Sequence, residues 1–125
     1  MIQYLLVGIG AFIGANLRYL LTKLIPGSAF PFATLAANII AGLAIGAVIG
    51  LDGSANALPP KWKLFMNTGL LGGLSTFSTF SLETVKLFQS RHPALAGVNI
   101  LLNLVLALIG VTAGMSATRL IFHRS

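Results

Sequence analysis

The feature that most constrains this chain is a series of four apolar segments, each long enough to cross a bilayer as a helix. An α-helix rises 1.5 Å per residue, so about 20 residues cross a hydrocarbon core of about 30 Å. Turns rich in Pro, Gly and Asp separate the segments, and we predict helices over residues 4–24, 32–51, 62–88 and 94–122. Together they leave no room for a second module. The sequence predicts one all-α integral membrane domain, residues 1–125, with four transmembrane helices.

The number and distribution of the charged residues exclude several classes of function. Only 8% of the residues are charged, against about a quarter in soluble domains. The net charge is +6, but the eight basic residues stand singly at the ends of apolar segments, without the cluster that nucleic-acid binding requires. Asp52 and Glu83 are the two acids, and cysteine is absent. We therefore expect neither a nucleic-acid partner nor an enzyme, because no nucleophile and base or metal-ligand set is available.

The basic residues that flank the predicted helices are equally divided between the two sides of the membrane. One side has Lys61, Lys63, Arg119 and Arg124, and the other has Arg18, Lys23, Lys86 and Arg91. Orientation in the membrane follows the excess of Lys and Arg on one side, and here there is no excess. This balance favours insertion in both orientations, which permits an antiparallel homodimer. If a helix boundary is misplaced and one side has a small excess of basic residues, the chain would instead insert with a single topology.

Small and polar residues recur at four-residue spacing along the predicted helices. The glycines in these stripes are typical of close helix packing in membranes: Gly10 and Gly14; Gly42, Gly46 and Gly50; Gly110 and Gly114. Thr34 and Asn38 precede the second stripe at the same spacing. Two interpretations of Asn38 stay open. It either joins two helices through a hydrogen bond of about 1 kcal/mol or begins an uncharged polar track.

Residues 69–81 of the third helix combine paired glycines with five hydroxyl residues among positions 75–81. Such residues favour alternatives to a continuous helix, so we predict a break near residues 72–78. Non-helical backbone at membrane depth is tolerated in a protein interior or a polar cavity, where its carbonyls can bind a cation; a packing break without an ion is the other interpretation. Phe77 and Phe80 share one helix face, and the positive edges of their rings suit an anion.

Three segments resemble the bacterial Fluc (CrcB) fluoride channels, and the similarity extends over essentially the whole chain. They are GAFIGANLRY at 10–19, FATLAAN at 32–38 and, most specifically, GGLSTFSTFS at 72–81. The resemblance implies a dual-topology antiparallel homodimer in the bacterial cytoplasmic membrane, with two fluoride pores. It also implies a structural sodium ion at the dimer centre, held by the backbone carbonyls of Gly72 and Ser75.

The same resemblance implies roles for individual side chains. Asn38, Phe77 and Phe80 correspond to pore residues, and Arg18 corresponds to an arginine of the vestibule. Further members of the polar track by this alignment are Thr34, Ser78, Ser81 and Asn103. The chain departs from the family on its last helix, where Asn99 and Asn103 keep the polar spacing but Ala107 interrupts it.

The resemblance thus implies a passive fluoride channel that confers fluoride resistance by export. The alternative is a proton-coupled transporter of the small multidrug type, which shares the size and charge balance. Such a transporter needs a carboxylate deep in the membrane, and Glu83 is predicted near a helix end. A non-conducting membrane assembly subunit would explain the glycines but would leave Asn38 and the hydroxyl cluster without a role.

Overall fold

The computed structural model describes residues 1–25, 27, 29–52 and 58–122, and this part of the chain contains helices but no strand. Three helices are long: α1 (Ile2–Leu24), α2 (Phe32–Asp52) and α6 (Pro93–Phe122). Four shorter elements connect α2 to α6, namely α3 (Pro60–Lys63), the π-helix π1 (Leu64–Leu71), α4 (Gly72–Leu74) and α5 (Ser78–Gln89).

The three long helices have the length and composition to cross a membrane. The mean hydropathy of their most apolar stretches is 1.5 for α1, 2.1 for α2 and 2.3 for α6. Large apolar side chains on them face outward; Phe12 is 72% exposed and Leu108 is 67% exposed. Such surfaces are unfavourable in water and favourable in lipid or against another protein chain. The all-helical prediction and its membrane character are therefore confirmed.

Helices α2 and α6 pack closely because the glycines of each helix lie against the backbone of the other. A Cβ atom on Gly42 would lie 2.9 Å from the Ala107 carbonyl oxygen, and one on Gly46 would overlap the Val111 carbonyl. Gly114 of α6 faces the Leu43 carbonyl in the same way. The glycine stripes thus lie at helix contacts, as their spacing predicts, and they bring the polar side chains of α2 and α6 together.

Helix α1 packs in a similar way against π1 and α4. A Cβ on Gly14 would overlap the Leu70 carbonyl, and one on Gly73 would lie 2.8 Å from the Ala11 carbonyl oxygen. The π-helix was not predicted. It spans eight residues, and π-helical turns inside α-helices are frequent at functional sites.

Two local contacts set the ends of the elements. Asp52, expected to begin a loop, is the last residue of α2; its carboxylate accepts the Leu58 N–H at 2.9 Å and pairs with Lys63 Nζ at 3.0 Å. These bonds hold the start of α3 near the end of α2. Arg124, which enters the predicted charge balance, lies outside the described residues.

The turn between α5 and α6 is short and well defined. Arg91 adopts φ 63°, and the N–H groups of Arg91 and His92 bond the Phe88 and Leu87 carbonyls at 3.2 and 2.8 Å. This is a Schellman motif with a non-glycine residue in the left-handed position. It folds α6 back along α5, so that the two helices face each other at the site described next.

Candidate functional site

The site is centred on residues 75–77, where the chain is not helical between α4 and α5. Ser75 is extended, with φ −77° and ψ 155°. The Thr76 N–H donates to Asn38 Oδ1 at 2.8 Å, and the Thr79 N–H donates to Thr76 Oγ1 at 3.2 Å. Glycines and hydroxyl residues favour this local arrangement over a helix. Side chains therefore replace backbone carbonyls as the acceptors for this segment.

This replacement changes the surroundings of two carbonyls. In a continuous α-helix the Thr76 N–H would bond the Gly72 carbonyl, and the Thr79 N–H would bond the Ser75 carbonyl. Both donors are engaged by side chains instead. The Gly72 and Ser75 carbonyls thus lack their helical donors, and both residues line the same pocket. Such carbonyls are suitable ligands for a hard cation.

Asn38 of α2 joins this segment to α6. Its Nδ2 donates to Asn103 Oδ1 at 2.8 Å and to the Thr76 carbonyl at 3.3 Å, while its Oδ1 accepts the Thr76 N–H. Both interpretations of Asn38 left open by the sequence find support here, since it links helices and lies in a polar series.

The series continues through α6 to α5. Asn103 Nδ2 donates to the side-chain and backbone oxygens of Asn99, each at 2.9 Å. Asn99 Nδ2 donates to Thr84 Oγ1 at 2.9 Å, and the Thr84 hydroxyl donates to the Phe80 carbonyl at 2.8 Å. Asn99 is fully buried and Asn103 is 5% exposed. We call Asn38, Asn103, Asn99 and Thr84 the amide chain.

Two phenylalanines stand beside the amide chain. The ring centroids of Phe77 and Phe80 are 5.6 Å apart, and the ring planes are inclined at 59°. Phe80 is 8% exposed, whereas Phe77 is 74% exposed in the single chain. Phe80 therefore packs inside the fold, and Phe77 presents its ring to whatever lies against this face.

A pocket of about 340 Å³ brings most of the predicted site together. Its lining includes the predicted pore residues Asn38, Asn103, Phe77 and Phe80, the predicted sodium ligands Gly72 and Ser75, and the apolar position Ala107. Amide groups, aromatic rings and backbone face one space. The pocket therefore presents ring edges and amide groups without a formal charge. The N–H groups of Asn38 and Asn103 are engaged by Thr76, Asn103 and Asn99.

A second pocket, of about 410 Å³, contains the charged groups. Arg18, Thr34, Glu83 and Lys86 line it, and the Arg18 Nε–H donates to the Gly73 carbonyl at 3.3 Å. With two cationic groups and one carboxylate, this pocket can raise the local concentration of anions.

The hydroxyls of Ser78 and Ser81 are placed differently from the other predicted track residues. Ser78 is exposed, and Ser81 Oγ donates to the Phe77 carbonyl at 2.8 Å. Neither residue is among those that line the two pockets. Thr84 is the opposite case, since sequence reasoning missed it. Its four-residue spacing from Phe80 is the signal that could have found it.

Comparison with known proteins gives a family match over most of the chain. Residues 5–115 match the model of the family described as CrcB-like protein, Camphor Resistance (CrcB). A relative from Clostridium perfringens, named fluoride-specific ion channel FluC, is 40% identical over 121 residues, which cover 94% of each chain. A protein of the same name from Shewanella frigidimarina is 44% identical over 127 residues, which cover 99% of each chain.

Proposed function

Because this chain belongs to the CrcB-like family, we propose that it is a passive channel through which fluoride leaves the cytoplasm. The family consists of ion channels, so the chain is not an enzyme. It is a multi-pass membrane protein, and the described part of the chain has three helices long enough to span the bilayer. We place it in the bacterial cytoplasmic membrane, with π1, α4 and α5 together providing a fourth, interrupted crossing.

The observation that carries this proposal is the pocket where Asn38 and Asn103 meet Phe77 and Phe80. Fluoride is small and strongly hydrated, so a pathway must replace its water with hydrogen-bond donors. Ring edges can do this without a formal charge that would hold the ion in place. Fluoride would also take the Asn38 N–H that bonds the Thr76 carbonyl at 3.3 Å, the longest hydrogen bond of the Asn38 amide. Arg18 and Lys86 of the second pocket supply the attraction at the entrance.

A second copy of the chain completes the pathway in this proposal. Phe77 is 74% exposed in the single chain although it lines the pocket, so a partner against this face would bury the ring and close the pocket. An antiparallel homodimer places one such pocket on each protomer and therefore forms two pores. The equal division of basic residues supports insertion in both orientations.

Dual topology can be measured with a single introduced cysteine, because the natural chain has none. Gln89 is uncharged and exposed at the end of α5, so its replacement leaves the balance of basic residues intact. We expect a membrane-impermeant thiol reagent added outside intact cells to modify about half of the Gln89→Cys molecules, as insertion in both orientations requires. Detergent should make all of them reactive. Modification of all or none of the molecules before detergent would show a single orientation.

A structural sodium ion at the dimer centre is part of the proposal. Its support is that Gly72 and Ser75, which line the pocket, have lost their helical donors to Asn38 and the Thr76 hydroxyl. Carbonyl oxygens from two protomers would give four ligands of the kind that alkali cations prefer. Sodium would hold the two non-helical segments together and would not take part in fluoride transfer.

Ion flux from liposomes tests the function directly. We expect vesicles containing the protein to lose fluoride rapidly at neutral pH once valinomycin lets potassium follow, with no imposed proton gradient. Under the same conditions chloride should stay inside. Protein prepared in N-methylglucamine instead of sodium should lose its flux if sodium is structural.

Each contrary result has a separate meaning. Retention of both anions would rule out the channel, and fluoride loss only with a proton gradient would favour the transporter of the small multidrug type. In that case Glu83 would be the coupling residue, because it lies in the second pocket. Unchanged flux without sodium would remove the ion from the proposal and leave the channel intact.

A further inference from the structure

The amide chain has an order that the fluoride pathway alone does not require. We propose that Asn99 and Thr84 are positioning residues for fluoride conduction: they hold the Asn103 amide in a single orientation, with its oxygen toward Asn38 and its N–H groups away from it. This inference rests on the proposed function. It adds two residues that act on the pathway through others, since neither lines the pocket.

At the Asn38 end of the amide chain, a backbone donor fixes the orientation of the amides. The Thr76 N–H can only donate, so the atom of Asn38 that faces it at 2.8 Å must be the amide oxygen. The Asn38 nitrogen then lies on the opposite branch of the amide. The atom of Asn103 that faces it at 2.8 Å must accept and is therefore Oδ1.

At the Thr84 end of the amide chain, a backbone acceptor fixes the orientation. The Phe80 carbonyl can only accept, so the Thr84 hydroxyl donates its proton there and keeps a lone pair for Asn99. Asn99 must present its nitrogen to Thr84 and its oxygen to Asn103. The five links from the Thr76 N–H to the Phe80 carbonyl thus all donate in the same direction, and the second Asn38 N–H returns to the Thr76 carbonyl.

Burial makes the orientation of each amide depend on its neighbours in the amide chain. Asn99 is fully buried, while Asn103 is 5% and Thr84 is 7% exposed, so water cannot replace a lost partner. A buried amide that loses one partner turns to find another, and the turn passes to its neighbour. Loss of the Thr84 acceptor would free the Asn99 amide to turn and face Asn103 Nδ2 with its nitrogen in place of its oxygen. Asn103 would keep its bonds to the Asn99 backbone carbonyl and to Asn38, but the contact between two donors would displace its amide where it lines the pocket.

The test is the pair Thr84→Val and Thr84→Ser. Valine keeps the shape and removes the acceptor, whereas serine keeps the hydroxyl. We expect Thr84→Val to lower fluoride flux about tenfold, which corresponds to about 1.4 kcal/mol and lies within the cost of leaving a buried polar group unpaired. Thr84→Ser should conduct like the natural protein. The matched control is Thr112→Val, which removes a hydroxyl bonded to the Leu108 carbonyl on an exposed face of α6.

Flux per assembled dimer is the measured quantity, with dimer content from size-exclusion chromatography. If Thr84→Val conducts normally, or if Thr84→Ser loses as much flux as Thr84→Val, the positioning role is wrong. Should Thr84→Val not assemble, Asn99→Leu interrupts the same chain and must give the same loss in assembled protein. Failure of both to assemble would assign the amide chain to folding and overturn the inference. Absence of flux in the natural protein would instead contradict the proposed function.

Discussion

Replacement of Phe80 by alanine is expected to lower fluoride flux at least about tenfold while the dimer still forms. The Phe80 ring lines the pocket and lies 5.6 Å from Phe77. The positive ring edge faces the anion, and a tenfold loss of flux corresponds to about 1.4 kcal/mol. The backbone carbonyl that ends the amide chain is retained, so the effect reports the ring itself.

Two variants separate this ring from general packing. Phe80→Leu keeps most of the apolar volume without the aromatic edge and should conduct as poorly as Phe80→Ala. Phe88→Ala removes a ring that is 53% exposed on the same helix and should leave flux unchanged. Fluoride efflux from liposomes measures all three. Full flux in Phe80→Leu would show that the position needs only an apolar side chain.

The largest effect on assembly is expected for Gly46→Val. A Cβ on Gly46 would overlap the Val111 carbonyl, and the neighbouring backbone cannot yield as a flexible side chain can. Overpacking of this kind costs about 1–3 kcal/mol or more, and separation of α2 from α6 would also part Asn38 from Asn103. We expect little or no dimer on size-exclusion chromatography.

Gly8→Val is the matched control, because it makes the same change within helix α1 where nothing lies within 4 Å of the added Cβ. Both substitutions alter intrinsic helix propensity equally, so a difference in dimer yield reports the contact with Val111. Normal yield of Gly46→Val would mean that the two helices can separate without loss of the fold.

Periodicity and hydropathy predicted the long helices because lipid demands continuous apolar length. The four-residue spacing of the glycines also predicted packing faces on α2 and α6, but not that these two helices pack against each other. The hydrogen-bond partners of the amides are harder to predict from the sequence, since Asn38 and Asn103 are 65 positions apart and meet only because α2 packs against α6. Their spacing within each helix indicated polarity without identifying the partner.

Other features leave no trace in the pattern of residue types. The π-helix has the apolar composition that a membrane α-helix would have, and it packs against α1 where Gly14 lies against the Leu70 carbonyl. Ser81 was assigned to the polar track by alignment, yet its hydroxyl bonds the Phe77 carbonyl one turn earlier. A serine in a helix can satisfy itself locally or reach across a cavity, and sequence spacing does not distinguish these outcomes.

The amide chain begins at the Thr76 N–H and ends at the Phe80 carbonyl, so it closes a ring on one short stretch of backbone. Such a ring is a non-covalent clasp: it restrains the two ends of an irregular segment relative to each other, as a disulfide does for a secreted loop. Without cysteine, the clasp is independent of redox conditions on either face of the membrane. Its links are separate hydrogen bonds, so the stiffness of this segment can be adjusted by one substitution at a time.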